Sequence, residues 1–547
     1  MGVRFTKQRK NTRLHFIFGI FILSYLILVA RLFNLQIIQC DELTERMHKR
    51  TTPSRTNTTS LRGSIYDRNG EELAVSLKRP SAYVHPHKVK DKKKFMYQLA
   101  SFPGIDISRI KTFFKQGKPF IWIKRKLTPL EEKILGDLGL EDIHYYIETK
   151  RFYPHTSLAS QVIGFAGMDG KGLEGLEFYF DSLLKGKDKG RANFILTIDR
   201  VIQYFADEAL RDRCIELGAK MGMLVMMEVN TGEIWALSNW PSFNPNIFNK
   251  YKRENWRIRC IADSFEPGSI IKVFGAAAVI EENLGKPEDI IDCQQGSIRI
   301  AGCTIRDYKK FGKLSLSEVI ECSSNVGAIK MVQRLGEEKY YHYLKEFGFG
   351  EKTAITLPAE ASGIFKPPEY WSGISLASLA IGQEISVTSI QFITAFSSLI
   401  NGGYRVKPRI VKRMCDQEGA SIKAEITRSK QGEQIISEGT STIIRDMLQR
   451  VVSHGTGKLA AINNYNIGGK TGTAQKIDPK TCTYSHEDYV ASFVGFFPGK
   501  NPRWAMIVVI DEPQKDKAWG GQAAAPVFQK VAEQSMEYLN IWPDEII

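Results

Sequence analysis

The sequence predicts a multidomain protein of the α/β (α+β) class: an N-terminal transmembrane helix, a middle region, and a C-terminal domain in which a mixed sheet is covered by helices. Three observations support this. A basic cluster followed by an apolar run opens the chain. Strand-like apolar runs occur at 223–229 and 233–239 and again at 489–498 and 504–510, with helical segments between and after them. A third segment, 269–280, carries only two polar residues, Ser269 and Lys272, and a helix that apolar is a buried one.

With 547 residues the chain is long enough for two or three domains. At 43% hydrophobic and 25% charged it is too apolar for wholesale disorder. The net charge of +15 favours an anionic partner or surface. No basic block is interleaved with aromatics, so nucleic acid is not expected. The eight cysteines form no C-x-x-C, and no histidine cluster completes a metal site, so no metal or cofactor is expected. Cys293 and Cys303 bracket a predicted hairpin and are left open as either a bridge or two free thiols.

Arg4, Lys7, Arg9, Lys10 and Arg13 precede the apolar run at 14–30, which Leu32 and Phe33 extend. No A-x-A-like cleavage site follows, so the run reads as a retained anchor at 14–33. The basic cluster, residues 1–13, stays cytoplasmic by the positive-inside rule and the remainder is translocated. Residues 34–60 read as linker, rich in Thr, Ser, Pro and Asn at 51–60. In the middle region, 61–210, Asp67 and Gly70 bound a turn between two short strands. An amphipathic helix is expected at 178–184 after a glycine turn, and another helix at 200–210. No paired carboxylates or nucleophile constellation appears there.

The domain at 215–547 carries the chemistry. Asn230-Thr231-Gly232 between two apolar runs is a hairpin signal. Pro267 and Gly268 let a helix begin at Ser269, and Lys272 lies one turn on, on the same face. Desolvation lowers such a lysine toward neutrality, where it can take the serine's proton, and the helix N-terminus offers N–H groups to an oxyanion. Ser-x-x-Lys alone is a weak signal, since Ser108-x-x-Lys111 and Ser182-x-x-Lys185 also match. Downstream, Ser323 can relay a proton, and Asn325 can donate and accept at once. Lys470-Thr471-Gly472-Thr473 offers a cation and two hydroxyls for a carboxylate, among small residues that let a substrate backbone lie against a strand. A closing helix is expected at 523–539.

The ordered set Ser269-x-x-Lys272, Ser323-x-Asn325 and Lys470-Thr471-Gly472 resembles that of penicillin-binding proteins and class A β-lactamases. Arg62-Gly63, the segment 172–177, Phe265-Glu266-Pro267-Gly268, Asn401-Gly402-Gly403 and His454-Gly455-Thr456-Gly457 extend the resemblance to class B penicillin-binding proteins over nearly the whole chain. Ser323-Ser324-Asn325 and Phe265-Glu266-Pro267-Gly268 resemble the septal, FtsI-like branch. No glycosyltransferase domain is recognisable before residue 215.

The resemblance implies a serine β-lactamase-like domain, a mixed sheet sandwiched by helices, on an elongated non-catalytic pedestal of the dimerisation type at 61–210. It implies a D,D-transpeptidase that cross-links peptidoglycan stem peptides and is acylated by β-lactams. Ser269 is then the nucleophile and Lys272 the base. Ser323 is the proton shuttle, with Asn325 holding Lys272 and the substrate amide. Lys470, Thr471, Gly472 and Thr473 form the carboxylate site. It implies residence in the bacterial inner membrane as a single-pass protein with a periplasmic catalytic domain. The expected partners are a polytopic glycosyltransferase and other division proteins. The alternatives are a D,D-carboxypeptidase or β-lactamase, a β-lactam sensor, and a scaffold without activity.

Overall fold

The computed structural model describes residues 6–39, 61–186, 191–422, 432–477, 481, 483–514 and 519–543; the side chains of residues 6–14, 35 and 486 are not described. Most of the expected linker, with Cys40, and also Cys482, lie outside these residues. The described chain forms two compact units, one of Met1–Ser60 with Lys78–Thr149 and one of Leu61–Leu77 with Lys150–Ile547.

In the first unit a helix runs over Thr6–Phe33, and the stretch His15–Ile38, with a mean hydropathy of 2.4, is long and apolar enough to cross a membrane. Its side chains from Phe16 onward stand exposed, which an apolar helix does in lipid but not in water. Residues 78–149 have a core of their own, including Val84, Phe95, Leu99, Ile121 and Leu135. A helix spans Pro129–Asp137, opened by a capping box from Thr128 and Glu131.

The second unit is built on a five-stranded sheet of β1 (Met221–Glu228), β2 (Ile234–Trp240), β3 (Gly468–Ile477), β4 (Tyr484–Phe497) and β5 (Trp504–Asp511), in the order β3-β4-β5-β1-β2. Early and late strands lie side by side as expected, and every pairing in this sheet is antiparallel. The parallel pairing lies in a second sheet, where Ile65–Tyr66 runs alongside Asn193–Leu196. Of α1 (Arg200–Leu217), α2 (Lys272–Glu281), α3 (Asn325–Gln333), α4 (Ser389–Ile400) and α5 (Ala525–Tyr538), α1 and α5 pack on one face of the sheet and α4 on the other, with α2 in the core of α4 and α3 packed on α2. Alternation along β1 explains the layering. Met223, Val225 and Met227 pack into the core that contains α2 and α4, while Leu224 and Met226 pack with α1 and α5.

The single helix expected at 178–184 is two short ones, Gly175–Tyr179 and Asp181–Lys185, broken at Phe180. They frame a buried ion cluster. Arg62 donates to the Glu177 carboxylate and backbone carbonyl and to Asp181, and Arg151 donates to Glu177, which is fully buried. A buried carboxylate is tolerated only when paired in this way. Arg62 and Glu177 therefore serve to join the Leu61–Leu77 segment to the rest of this unit. Cys293 and Cys303 are two free thiols, the first buried and the second exposed on a strand.

Candidate active site

Pro267 and Gly268 end a short strand, and Gly268, at φ +56°, turns the chain into one 3-10 turn, Gly268–Ile271, that runs directly into α2. Ser269 stands half-buried on that turn, and Lys272 opens α2 fully buried. Two glycines set how closely the neighbours approach. A side chain on Gly275 would meet Val332 at 2.7 Å, so Gly275 admits α3 against α2. One on Gly472 would meet Ile270 and the Pro267 carbonyl at 3.0 Å, so Gly472 admits β3 against the serine turn. The small residues around Lys470 thus face the protein: Gly468 and Gly469 make room for Phe496 and Phe493. They seat the strand on its own domain; they do not clear its edge for a substrate, as the sequence suggested.

Of the seven polar members of the set, Lys272, Ser323, Asn325 and Lys470 are joined directly by hydrogen bonds. Lys272 Nζ donates to the Ser323 carbonyl at 2.8 Å and to Asn325 Oδ1 at 2.7 Å, and lies 3.4 Å from Ser323 Oγ. Lys470 Nζ donates to Ser323 Oγ at 2.9 Å and to the Thr471 carbonyl at 3.0 Å. Ser323 Oγ therefore bridges two buried lysines. Its backbone is left-handed, φ +59°, a conformation that non-glycine residues rarely adopt and that collects at functional sites. Asn325 Nδ2 donates to the Arg306 carbonyl at 2.8 Å, which fixes its oxygen toward Lys272 and leaves one N–H for a substrate. Thr471 Oγ1 meets Thr456 Oγ1 at 2.7 Å, and Thr473 Oγ1 accepts from the Gly520 N–H at 3.0 Å.

Burial pushes Lys272 down to about 7, opposed by the charge of Asp307. Burial and the neighbouring Lys272 hold Lys470 well below its ordinary value. Two ammonium groups this close do not both stay charged in an apolar setting, so one of the two lysines is favoured as a neutral amine.

Three supports were not foreseen. Asp307 accepts from Ser324 Oγ at 2.8 Å, from the Asn325 N–H and from the Val326 N–H at 3.1 Å, so it clamps the start of α3. Nothing in the sequence around Asp307 marks it, because the partner segment is 17 residues away. Thr456 belongs to a segment that the family resemblance flagged without assigning a role. Gly520 meets Gly472 and Ser492 backbone atoms within 2.3 Å of any added side chain. Cys322, beside the site, is a half-buried thiol that burial and the carboxylates of Glu321 and Glu318 push up, which disfavours its thiolate.

Comparison with known proteins agrees with this geometry. The family model for the penicillin-binding protein transpeptidase domain matches residues 222–533, and that for the penicillin-binding protein dimerisation domain matches residues 57–203. Among curated proteins, the chain is 32% identical to stage V sporulation protein D of Bacillus subtilis, over 99% of this chain and 88% of that one. It is 30% identical to peptidoglycan D,D-transpeptidase FtsI of Escherichia coli, over 96% and 92%. Among solved structures, penicillin-binding protein 3 of Mycobacterium tuberculosis in complex with aztreonam superposes with a TM-score of 0.72 at 29% identity, covering 89% of this chain and 97% of that one. The chain belongs to the penicillin-binding protein family, in the class B group that pairs a dimerisation domain with a single transpeptidase domain.

Proposed function

We propose that this protein is a peptidoglycan D,D-transpeptidase acting through an acyl-enzyme on Ser269. The observation that supports it most is the pair of buried lysines meeting at Ser323 Oγ, one of them lowered to about 7. Lys272 takes the Ser269 hydroxyl proton on its lone pair as Oγ attacks the carbonyl of the penultimate D-alanine. The backbone N–H groups of Ser269 and Thr473 receive the oxyanion. The C–N bond breaks as the proton passes from Lys272 through Ser323 Oγ to the leaving D-alanine nitrogen. Lys470, with Thr471 and Thr473 beside Gly472, holds the terminal carboxylate, whose charge favours the ammonium form of Lys470. Asn325 steadies Lys272 and the donor's amide. A second stem peptide's amine then attacks the ester and gives its proton to Lys272, which passes it to the departing Ser269 Oγ as the C–O bond breaks.

On this reading residues 215–547 are the transpeptidase domain, 61–210 the dimerisation-type pedestal, and 14–33 a single-pass anchor with the basic tail in the cytoplasm and the active site in the periplasm. The partners are a polytopic glycosyltransferase that supplies nascent strands and other division proteins at the septum. Relatives named for both sporulation and FtsI support a role in dividing cells. The test is a reconstitution of full-length protein in bilayer discs with such a glycosyltransferase and lipid-linked precursor. Cross-linked muropeptide dimers with D-alanine release are expected, and Ser269→Ala should form none. D-alanine release without dimers would make it a carboxypeptidase.

A further inference from the structure

Past Thr473, alongside the last residues of β3, lies a cavity of about 870 Å³ lined by residues 474–477 of that strand, by Phe265 and Glu266 just ahead of the serine, and by residues 384–386. Its position gives it a meaning that rests on the proposed function. β3 is an edge strand, since β4 is its one neighbour in the sheet. A donor peptide with its terminal carboxylate at Lys470 and Thr471 and its scissile carbonyl at Ser269 must run antiparallel to β3. The residue before D-Ala-D-Ala then lies beside Ala474 and Gln475, at the mouth of this cavity.

The cavity holds unbalanced negative charge. Gly382 O accepts from the Gly268 N–H at 3.1 Å, next to the nucleophile, and the same loop carries Glu384. Glu384 is exposed with a left-handed backbone, φ +60°, the kind of strain that persists where surrounding structure enforces it. Its Oε2 accepts from Ser375 Oγ at 2.6 Å, which fixes the carboxylate in place. Behind it, Glu266 Oε1 accepts from the Glu384 N–H at 3.1 Å and the Tyr484 hydroxyl at 3.3 Å, while Glu266 Oε2 is closed off from solvent and accepts nothing. Burial, with the charge of Glu384, pushes Glu266 up to about 6. Of the cations lining the cavity, Arg257 is paired with Asp263, and Lys476 with Asp511 and Glu512. Among the described residues Lys366 is the lining cation without an acidic partner. Two carboxylates stacked this way lower their energy by taking up a cation.

We infer that Glu384 is a specificity-determining residue for the donor peptide, its carboxylate binding the side-chain ammonium of the stem residue that immediately precedes D-Ala-D-Ala. Such an amine is what a cross-linkable stem residue carries. The donor would therefore be read by the same group that later serves as nucleophile in an acceptor.

The test compares acylation of Ser269 in the full-length protein by two depsipeptide donors that differ only at that residue, lysine against isosteric, uncharged norleucine. The lysine donor should acylate about tenfold faster in kcat/KM, the size of one charge-assisted contact. In Glu384→Gln the ratio should fall toward one, and in Glu384→Lys it should invert. Equal rates in the wild-type protein would overturn the proposal, and need no variant to fold. A tenfold preference that survives Glu384→Gln would also overturn it, by assigning the recognition elsewhere. A benzylpenicillin adduct on Ser269, measured in the wild type, separates this failure from failure of the function itself. With the adduct formed and the rates equal, only Glu384's role falls; with no acylation of Ser269 by any reagent, both fall.

Discussion

The same four-residue pattern, Ser-x-x-Lys, occurs at Ser269-x-x-Lys272 and at Ser182-x-x-Lys185, on helical turns in the same compact unit. At the second, Ser182 is exposed and Lys185 pairs with Asp181 at 2.8 Å, one turn back, with about a quarter of its side chain in water. At the first, Lys272 is fully buried and its partners are a backbone carbonyl, a hydroxyl and an amide oxygen. Burial disfavours the charged form of Lys272, whereas Lys185 is partly in water beside a carboxylate. The pattern supplies geometry; burial and the nature of the partner decide whether the lysine is a base or a surface ion pair. Holding a lysine at about 7 costs on the order of 5 kcal/mol of folding free energy, a price that the apolar α2 and its packing offset.

Five substitutions or conditions separate the two sites, from the largest expected effect to the smallest. Ser269→Ala should abolish labelling by a fluorescent penicillin on a gel, while Ser182→Ala labels as the parent does. Lys272→Met should slow acylation by about a thousandfold in stopped-flow or quench measurements, the usual contribution of a positioned base. Asp307→Asn loosens the start of α3 and removes the charge that opposes the lowering of Lys272, and about a tenfold loss in acylation rate is expected, with Lys272 still buried.

The fourth concerns pH. Lys272 has a depressed value in the fold, so its unfolded form binds more protons between about 7 and 10.5. Its contribution to stability is complete above the unfolded value and is lost as pH falls through the folded one. Denaturant midpoints should rise with pH over that window and lose part of that slope in Lys272→Met, but not in Lys185→Met. Acylation should likewise rise with pH through about 7. Last, Lys185→Ala should change stability by about 0.5 kcal/mol or less, as a partly exposed helical pair does.

Much of this was legible in the chain. The apolar run around Ser269 and Lys272 could only be a buried helix, and the three motifs in order pointed to one chemistry. Asn230-Thr231-Gly232 predicted the β1–β2 hairpin, and the late apolar runs predicted β4 and β5. What was illegible depends on which segments meet in space. Asp307 and Glu384 sit in loops whose sequence carries no period, and their value comes from Ser324, Asn325, Glu266 and Ser375, brought to them by the fold. The glycines around Lys470 show in the sequence that room is needed, but not on which side of the strand. Phe180 broke a helix that periodicity alone had drawn as one, since the buried Glu177 and Asp181 must both turn toward Arg62.

The most direct measurement is the intact mass of the purified protein after incubation with benzylpenicillin, followed by peptide mapping. The account predicts one stable adduct, carried by the peptide that contains Ser269. Rapid turnover of the drug with no adduct, or an adduct on any other residue, would contradict it.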